Sequence, residues 1–143
     1  MRLNLATDYS LRCLLYLAVS DGSYVAAVEI ADRFKISAHH VRTICKTLVA
    51  AGWVEGRRGA GGGVRLVVEP ASLRVGEIVR ELEPIDLVEC FDPDRNDCAL
   101  SPTCRLKKAL TRATSAFFDT LDEYTLADLA RNRQLQEIVR IEA

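Results

Sequence analysis

The sequence predicts a mainly α fold that carries one small β-hairpin, and three observations predict it. Apolar residues recur at helical spacing along most of the 143-residue chain. A glycine-rich turn at residues 57–63 lies between two short strand-like runs. Near the C-terminus a long stretch repeats its apolar residues at close to heptad spacing.

Residues 7–20 read as a first helix. Thr7 stands where a cap is needed, and Leu11, Leu14, Leu15 and Ala18 fall on one face. Asp21-Gly22-Ser23 makes the following turn. A second short helix over 27–34 presents Ile30, Ala31 and Phe34. Lys35-Ile36-Ser37 then leads into a third helix, with Ser37 as its cap and Val41, Ile44, Cys45, Leu48 and Val49 as its apolar stripe. This helix reaches residue 51, and Gly52 closes it. Strands are expected over 53–56 and 64–68. A fourth helix over 73–82 carries Val75, Ile78, Val79 and Leu82 inward and stops at Glu83-Pro84. Residues 84–103 read as a long irregular loop with Pro84, Pro93 and Pro102 and five acids.

The long helix spans 104–124, with Leu106, Leu110, Ala113, Phe117, Leu121 and Tyr124 on its seam. Such a seam suits a partner helix, so a homodimer is expected. Thr125 and Asp128 resemble a capping box for a last helical segment, with Leu126, Leu129, Leu135 and Ile138 packing back. Helix, tight turn, helix and hairpin together make a winged helix-turn-helix, here followed by a long dimerisation helix. The expected organisation is a DNA-binding domain over 1–83, a cysteine loop over 84–104, and a dimerisation helix with a C-terminal helical segment over 105–143.

Composition bounds the function. Hydrophobic residues make up 49% and charged residues 27%. That balance suits a globular core and is too apolar for disorder. No apolar run approaches the ~20 residues of a membrane span. Residues 1–8 lack a charged region followed by an uninterrupted apolar one. No secretory signal is expected, and the chain is expected to be cytoplasmic.

The charge is unevenly placed. Arg33, Lys35, Arg42, Lys46, Arg57, Arg58 and Arg65 face a single acid, Glu55, between residues 33 and 65. That block carries +6, which leaves −7 for the rest of a chain whose net charge is −1. A basic block in an acidic protein marks a polyanion-binding face. On the third helix, His39, His40, Arg42, Thr43 and Lys46 lie opposite the apolar stripe and can donate to phosphates and base edges of a double-stranded operator. In the hairpin, Arg57, Arg58 and Arg65 suit a minor groove, and glycines such as Gly62 allow close approach to the sugar-phosphate backbone. The loop lacks a following Gly-Lys-Ser/Thr and opens no helix, so nucleotide phosphate binding is not indicated. No paired catalytic carboxylates and no nucleophile elbow are present, and no enzymatic role is expected.

The five cysteines form an odd set, read as reduced thiols or metal ligands. Cys13 and Cys45 fall on apolar faces and read as core residues. Cys90, Cys98 and Cys104 lie on the acidic loop with seven and five residues between them. Three thiolates on one loop point to zinc, copper(I) or an iron–sulfur cluster, or to a redox-sensing thiol set. Zinc ordinarily takes a fourth Cys or a His, and neither is near.

The chain resembles the BadM-type family of winged-helix regulators, and within it the nitric-oxide-sensitive branch. The similarity covers nearly the whole sequence. It rests on Met1-Arg2-Leu3 with Thr7-Asp8-Tyr9, on the wing Arg58-Gly59-Ala60-Gly61-Gly62-Gly63, and on Leu87-Val88-Glu89-Cys90-Phe91. Cys104-Arg105-Leu106 and the stretch from Ala116 through Leu129 complete it. The resemblance implies a repressor whose iron–sulfur cluster is held by Cys90, Cys98 and Cys104, with Asp8 of the partner subunit as an oxygen ligand. On its own, Asp8 reads as a first-turn acid favoured by the helix dipole and paired with Arg12. A 4Fe–4S cluster is favoured over 2Fe–2S, because three thiolates leave one distinct iron. Nitric oxide as signal, and release of DNA on cluster nitrosylation, are likewise implied. The gap between Cys90 and Cys98 is longer than is usual in the family. Lys107 and Lys108 follow the third cysteine, where the iron–sulfur-biogenesis branch would supply a His. The alternative is a regulator of the same fold that senses iron–sulfur status, redox state or zinc through the same cysteines.

Overall fold

A computed structural model describes residues 2–140, so Met1 and the last three residues lie outside the described residues. Among the described residues, seven α-helices and one two-stranded antiparallel hairpin follow in order, which bears out the mainly α winged-helix fold. None of the described helices is long and apolar enough to cross a membrane.

Helix α1 (Leu5–Val19) begins earlier than expected. Asn4, not Thr7, is its cap, with the Asn4 side chain accepting from the Thr7 amide at 2.8 Å. Thr7 is fully buried, and its hydroxyl donates to the Leu82 carbonyl at 3.2 Å, tying α1 to the end of a later helix. Cys13, Leu14, Tyr16 and Leu17 make α1 the centre of the core. Burying a side chain of Leu size contributes about 1.5–3 kcal/mol.

Helices α2 (Ala27–Phe34) and α3 (Ala38–Ala50) pack across a tight turn. Lys35 adopts the left-handed conformation there, at φ 56°, and the Ile36 amide reaches back to the Ala31 carbonyl at 3.0 Å. Ser37 caps α3 as expected. Val41, Ile44, Cys45 and Leu48 are buried, whereas Val49 is 42% exposed. One residue past Leu48 is a rotation of about 100°, enough to carry Val49 off the stripe.

Strands β1 (Val54–Arg57) and β2 (Gly63–Leu66) pair antiparallel, each shifted from the expected bounds. A third segment joins them. Val25 and Val64 exchange two backbone hydrogen bonds of 2.8 Å, which docks the hairpin beside the start of α2. Gly63 sits at φ +151°, and a Cβ there would strike the Val25 carbonyl.

Helix α4 (Val75–Leu82) starts two residues later than expected, because Arg74 is extended and bridges to Thr125. It ends before Pro84. Residues 84–104 contain three single 3-10 turns, Glu89–Phe91, Pro93–Arg95 and Ser101–Thr103. Helix α5 (Arg105–Leu121) follows, with Cys104 as its cap and Asp122 closing it short of the expected end. No residue of α5 is buried. The expected last segment divides into α6 (Leu126–Ala130), with its Thr125/Asp128 capping box, and α7 (Arg133–Arg140). Asn132 starts the new helix by accepting from the Leu135 amide at 3.2 Å. Both pack on α1 through Leu126 and Leu135.

Candidate functional site

The outward face of α3 is where the sequence places the DNA-reading residues. His39, His40, Arg42, Thr43 and Lys46 are all exposed, and Thr47 joins them. Arg42 and Lys46 make no ion pair among the described residues, so both charges stand free. The Thr43 hydroxyl donates to the His39 carbonyl at 3.2 Å. His40 and Thr43 border a small apolar groove shared with Leu5, Tyr9 and Ile44, which places α1 against the reading face.

The wing's three arginines differ. Arg57 lies over the Tyr24 ring at 4.2 Å and donates to the Gly61 carbonyl at 2.6 Å, closing the turn. Arg65 lies over the same ring at 4.8 Å and pairs with Glu55 at 2.5 Å. The Tyr24 hydroxyl donates to the same Glu55 oxygen, also at 2.5 Å. That bond, followed by the Arg65 contact, holds the Glu55 carboxyl below the usual carboxylate range. The bond to Glu55 also pushes the Tyr24 phenol up, against the pull of the two neighbouring guanidiniums. Arg58 is exposed and has no partner among the described residues. Gly62 has a reason internal to the turn: a Cβ there would run into the Arg57 and Gly59 carbonyls. Sequence reasoning missed Tyr24 and Glu55 as wing residues. The signal for Glu55 was available in the hairpin register, which sets it opposite Arg65. Tyr24 gave none, since its place depends on the third segment.

All five thiols are free. Cys13 and Cys45 lie in the core, as expected. Burial, helped by the neighbouring Cys45, pushes the Cys13 thiol up to about 12; burial alone pushes Cys45 up to about 11. The loop thiols are arranged unequally. Cys98 and Cys104 line one groove together with Asn96, Ser101, Lys107 and Arg112. Asn96 braces it by accepting from the Cys98 amide at 3.2 Å and donating to the Ser101 hydroxyl at 2.7 Å. The Lys107 amide donates to Cys104 Sγ at 3.4 Å. Cys90 is buried at 8% exposure and does not line that groove. Asp8 is held by its own chain, accepting from Arg12 at 3.1 and 2.7 Å. No three of the described His, Cys, Asp and Glu residues stand together as a metal site, so the structure does not bring Cys90, Cys98, Cys104 and Asp8 to one centre.

The donor set suits an iron–sulfur cluster. Thiolates are its usual ligands, and an amide-to-sulfur hydrogen bond such as that at Cys104 is among the contacts that tune it. Before α5 begins, every hydrogen bond within 84–104 spans five residues or fewer among the described residues. Among the described residues the loop is therefore hydrogen-bonded only to itself and, through Cys104, to the first turn of α5, and Cys90 is not locked in place by polar contacts to another element.

Comparison with known proteins agrees with this architecture. The family described as Rrf2, iron-dependent transcriptional regulator, matches residues 3–132. The HTH-type transcriptional regulator NsrR of Bacillus licheniformis is 42% identical over 135 residues, covering 93% of this chain and 94% of that protein. Among solved structures, CymR, the global cysteine regulator of B. subtilis, superposes with a TM-score of 0.73 at 31% identity, covering 91% of this chain and 96% of that one. T. potens IscR does so with a TM-score of 0.69 at 27% identity, covering 90% and 85%. The resemblance read from the sequence is thereby borne out: the chain belongs to the Rrf2 family of iron-dependent transcriptional regulators.

Proposed function

We propose that this chain is a homodimeric, operator-binding repressor that responds to nitric oxide through an iron–sulfur cluster on residues 84–104. The observation that carries the reading is the set of three free thiols on one self-contained loop ending at the cap of α5. Similarity to NsrR over almost the full length supports it. Cys90, Cys98 and Cys104 would hold the cluster, with Asp8 of the partner subunit as the oxygen ligand. When bound, the cluster would supply iron as the group that reacts with nitric oxide.

The chain's own part is mechanical. Holding three sulfurs at one centre constrains the loop between α4 and α5. Releasing them lets the loop relax. Cys104 caps α5, and Asp122 at the other end of α5 pairs with Arg80 of α4 at 2.6 Å, so loop state and helix placement are linked. The two states place the reading helices differently, and the one that fits the operator is favoured while the loop is held.

The test is the visible spectrum of anaerobically purified protein before and after nitric oxide. A brown protein whose bands bleach on titration is expected. A protein that stays colourless after anaerobic reconstitution with iron and sulfide would remove the cluster. Asp8→Ala is expected to destabilise the cluster; an unchanged cluster and nitric oxide response would take Asp8 out of the ligand set. A second reading, thiol redox or metal sensing without a cluster, is favoured by one observation: Cys98 and Cys104 share a groove that Cys90 does not. Colourless protein with an unimpaired operator affinity that changes on oxidation would select it.

A further inference from the structure

We propose that Tyr24 and Glu55 are positioning residues for DNA binding: they hold Arg57 and Arg65 within the wing, so that Arg58 alone reaches DNA from the hairpin. This rests on the operator-binding reading above and assigns the wing's contact within it. Two guanidiniums share the Tyr24 ring, at 4.2 and 4.8 Å. Two like charges on one ring repel, and Glu55 offsets this by pairing with Arg65 while accepting from the Tyr24 hydroxyl. Arg57 is also committed, through the Gly61 carbonyl, to closing the turn. Each group thus fixes another: stacking and the Gly61 bond hold the Arg57 guanidinium against the turn, and Glu55 offsets the charge of Arg65, so neither is free to swing out to a phosphate. Arg58, the next residue after Arg57, is exposed and unpartnered among the described residues. An arginine of that kind at the start of the hairpin's turn suits a narrow minor groove.

The probe is a duplex enriched by the wild-type protein from a random-sequence pool, with affinity measured by fluorescence anisotropy across a salt series. Arg58→Ala is expected to lower affinity at least tenfold and to flatten the salt slope by about 0.9, the value for one phosphate's counterion. Arg57→Ala and Arg65→Ala are expected to leave the slope near that of the wild type, and a drop in slope matching Arg58→Ala would overturn the assignment. Tyr24→Leu is expected to lower affinity about tenfold in the wild-type background and not at all in the Arg58→Ala background. Tyr24→Phe, which keeps the ring under both guanidiniums, is expected to stay within about threefold of wild type. Additive losses from Tyr24→Leu and Arg58→Ala would show that Tyr24 acts elsewhere and end the proposal. If thermal melting shows that Tyr24→Leu does not fold, Glu55→Gln takes its place in the same cycle, with the same expectation. Failure of the wild-type protein to enrich any duplex would instead end the operator-binding reading itself.

Discussion

At the scale of single residues, the five cysteines divide by burial. Cys13 and Cys45 hold protonated thiols in the core, pushed up to about 12 and about 11 from an ordinary 9.0. In the unfolded chain both ionise near the ordinary value, so the unfolded state gains charge first as pH rises. Stability is therefore fully present below about pH 9 and is lost between there and 12, by up to ~1.4 kcal/mol per pH unit for each thiol at its steepest. Urea unfolding followed from pH 8 to 11 is expected to show this fall, and Cys45→Ala to make it shallower. Cysteine alkylation at neutral pH is expected to reach the half-buried Cys98 and Cys104 first and the core pair only on unfolding. The core role of Cys13 and Cys45 was legible, since an apolar stripe at helical spacing declares its own members. The cap of α1 was not. Asn4 and Thr7 are both good caps, and what decides between them is the Leu82 carbonyl that takes the Thr7 hydroxyl, a contact across 75 residues.

At the scale of elements, several polar and ring contacts converge at the joint between α4 and α5. Arg80 pairs with Asp122 at 2.6 Å and lies over the Phe118 ring at 4.4 Å, while Arg74 donates to the Asp122 carbonyl. Arg80 holds the Asp122 carboxyl below its ordinary range. Gly76 lets the two helices approach this closely: a Cβ there would collide with the Asp122 side chain and crowd the Phe118 carbonyl at 3.1 Å. Ala is the better helix former by about 1 kcal/mol, yet Gly76→Ala is expected to destabilise by about 1–3 kcal/mol, because crowding outweighs propensity here. Denaturant unfolding at neutral pH measures the sign, and a stabilised variant would mean that the joint gives way easily. Helix periodicity and the glycine-rich turn made the helix-turn-helix and wing legible from local pattern alone. The bridge of Val25 to Val64, the extended Arg74 and the restart of the chain at Asn132 were not, since each depends on a partner distant in sequence or on a local competition that periodicity does not register.

At the scale of the whole molecule, the cysteine loop marks where sequence and single-chain structure both stop short. The residue types pointed to a soft metal centre, but three sulfurs and a carboxylate are not converged in one chain. In the proposed reading the constraint that would converge them is a bound group and a second subunit, and neither is encoded as a local pattern. The proposed dimer rests on a clearer pattern. Helix α5 runs for 17 residues, about 25 Å, without burying one of them. Leu106 is 62% exposed, and Leu110, Phe117 and Leu121 are only half-buried. A helix with that seam has spare apolar area for a copy of itself, and the proposed two-fold pairing would set two reading helices against half-sites about 34–36 Å apart. Leu110→Glu places a charge on the seam far from the core around α1 and the hairpin, so it is expected to yield monomers by sedimentation equilibrium with little change in thermal unfolding of the winged domain. Each monomer keeps Arg42, Lys46 and Arg58 and so keeps its half-site contacts. What it loses is the tether that makes the second half-site's binding intramolecular, worth about 10²–10⁴ in avidity. Operator affinity is therefore expected to fall at least a hundredfold, while affinity for a duplex carrying a single half-site stays within a fewfold of wild type. A Leu110→Glu protein that remains dimeric would move the interface off this seam, and one that is monomeric yet binds the full operator undiminished would mean that one subunit suffices.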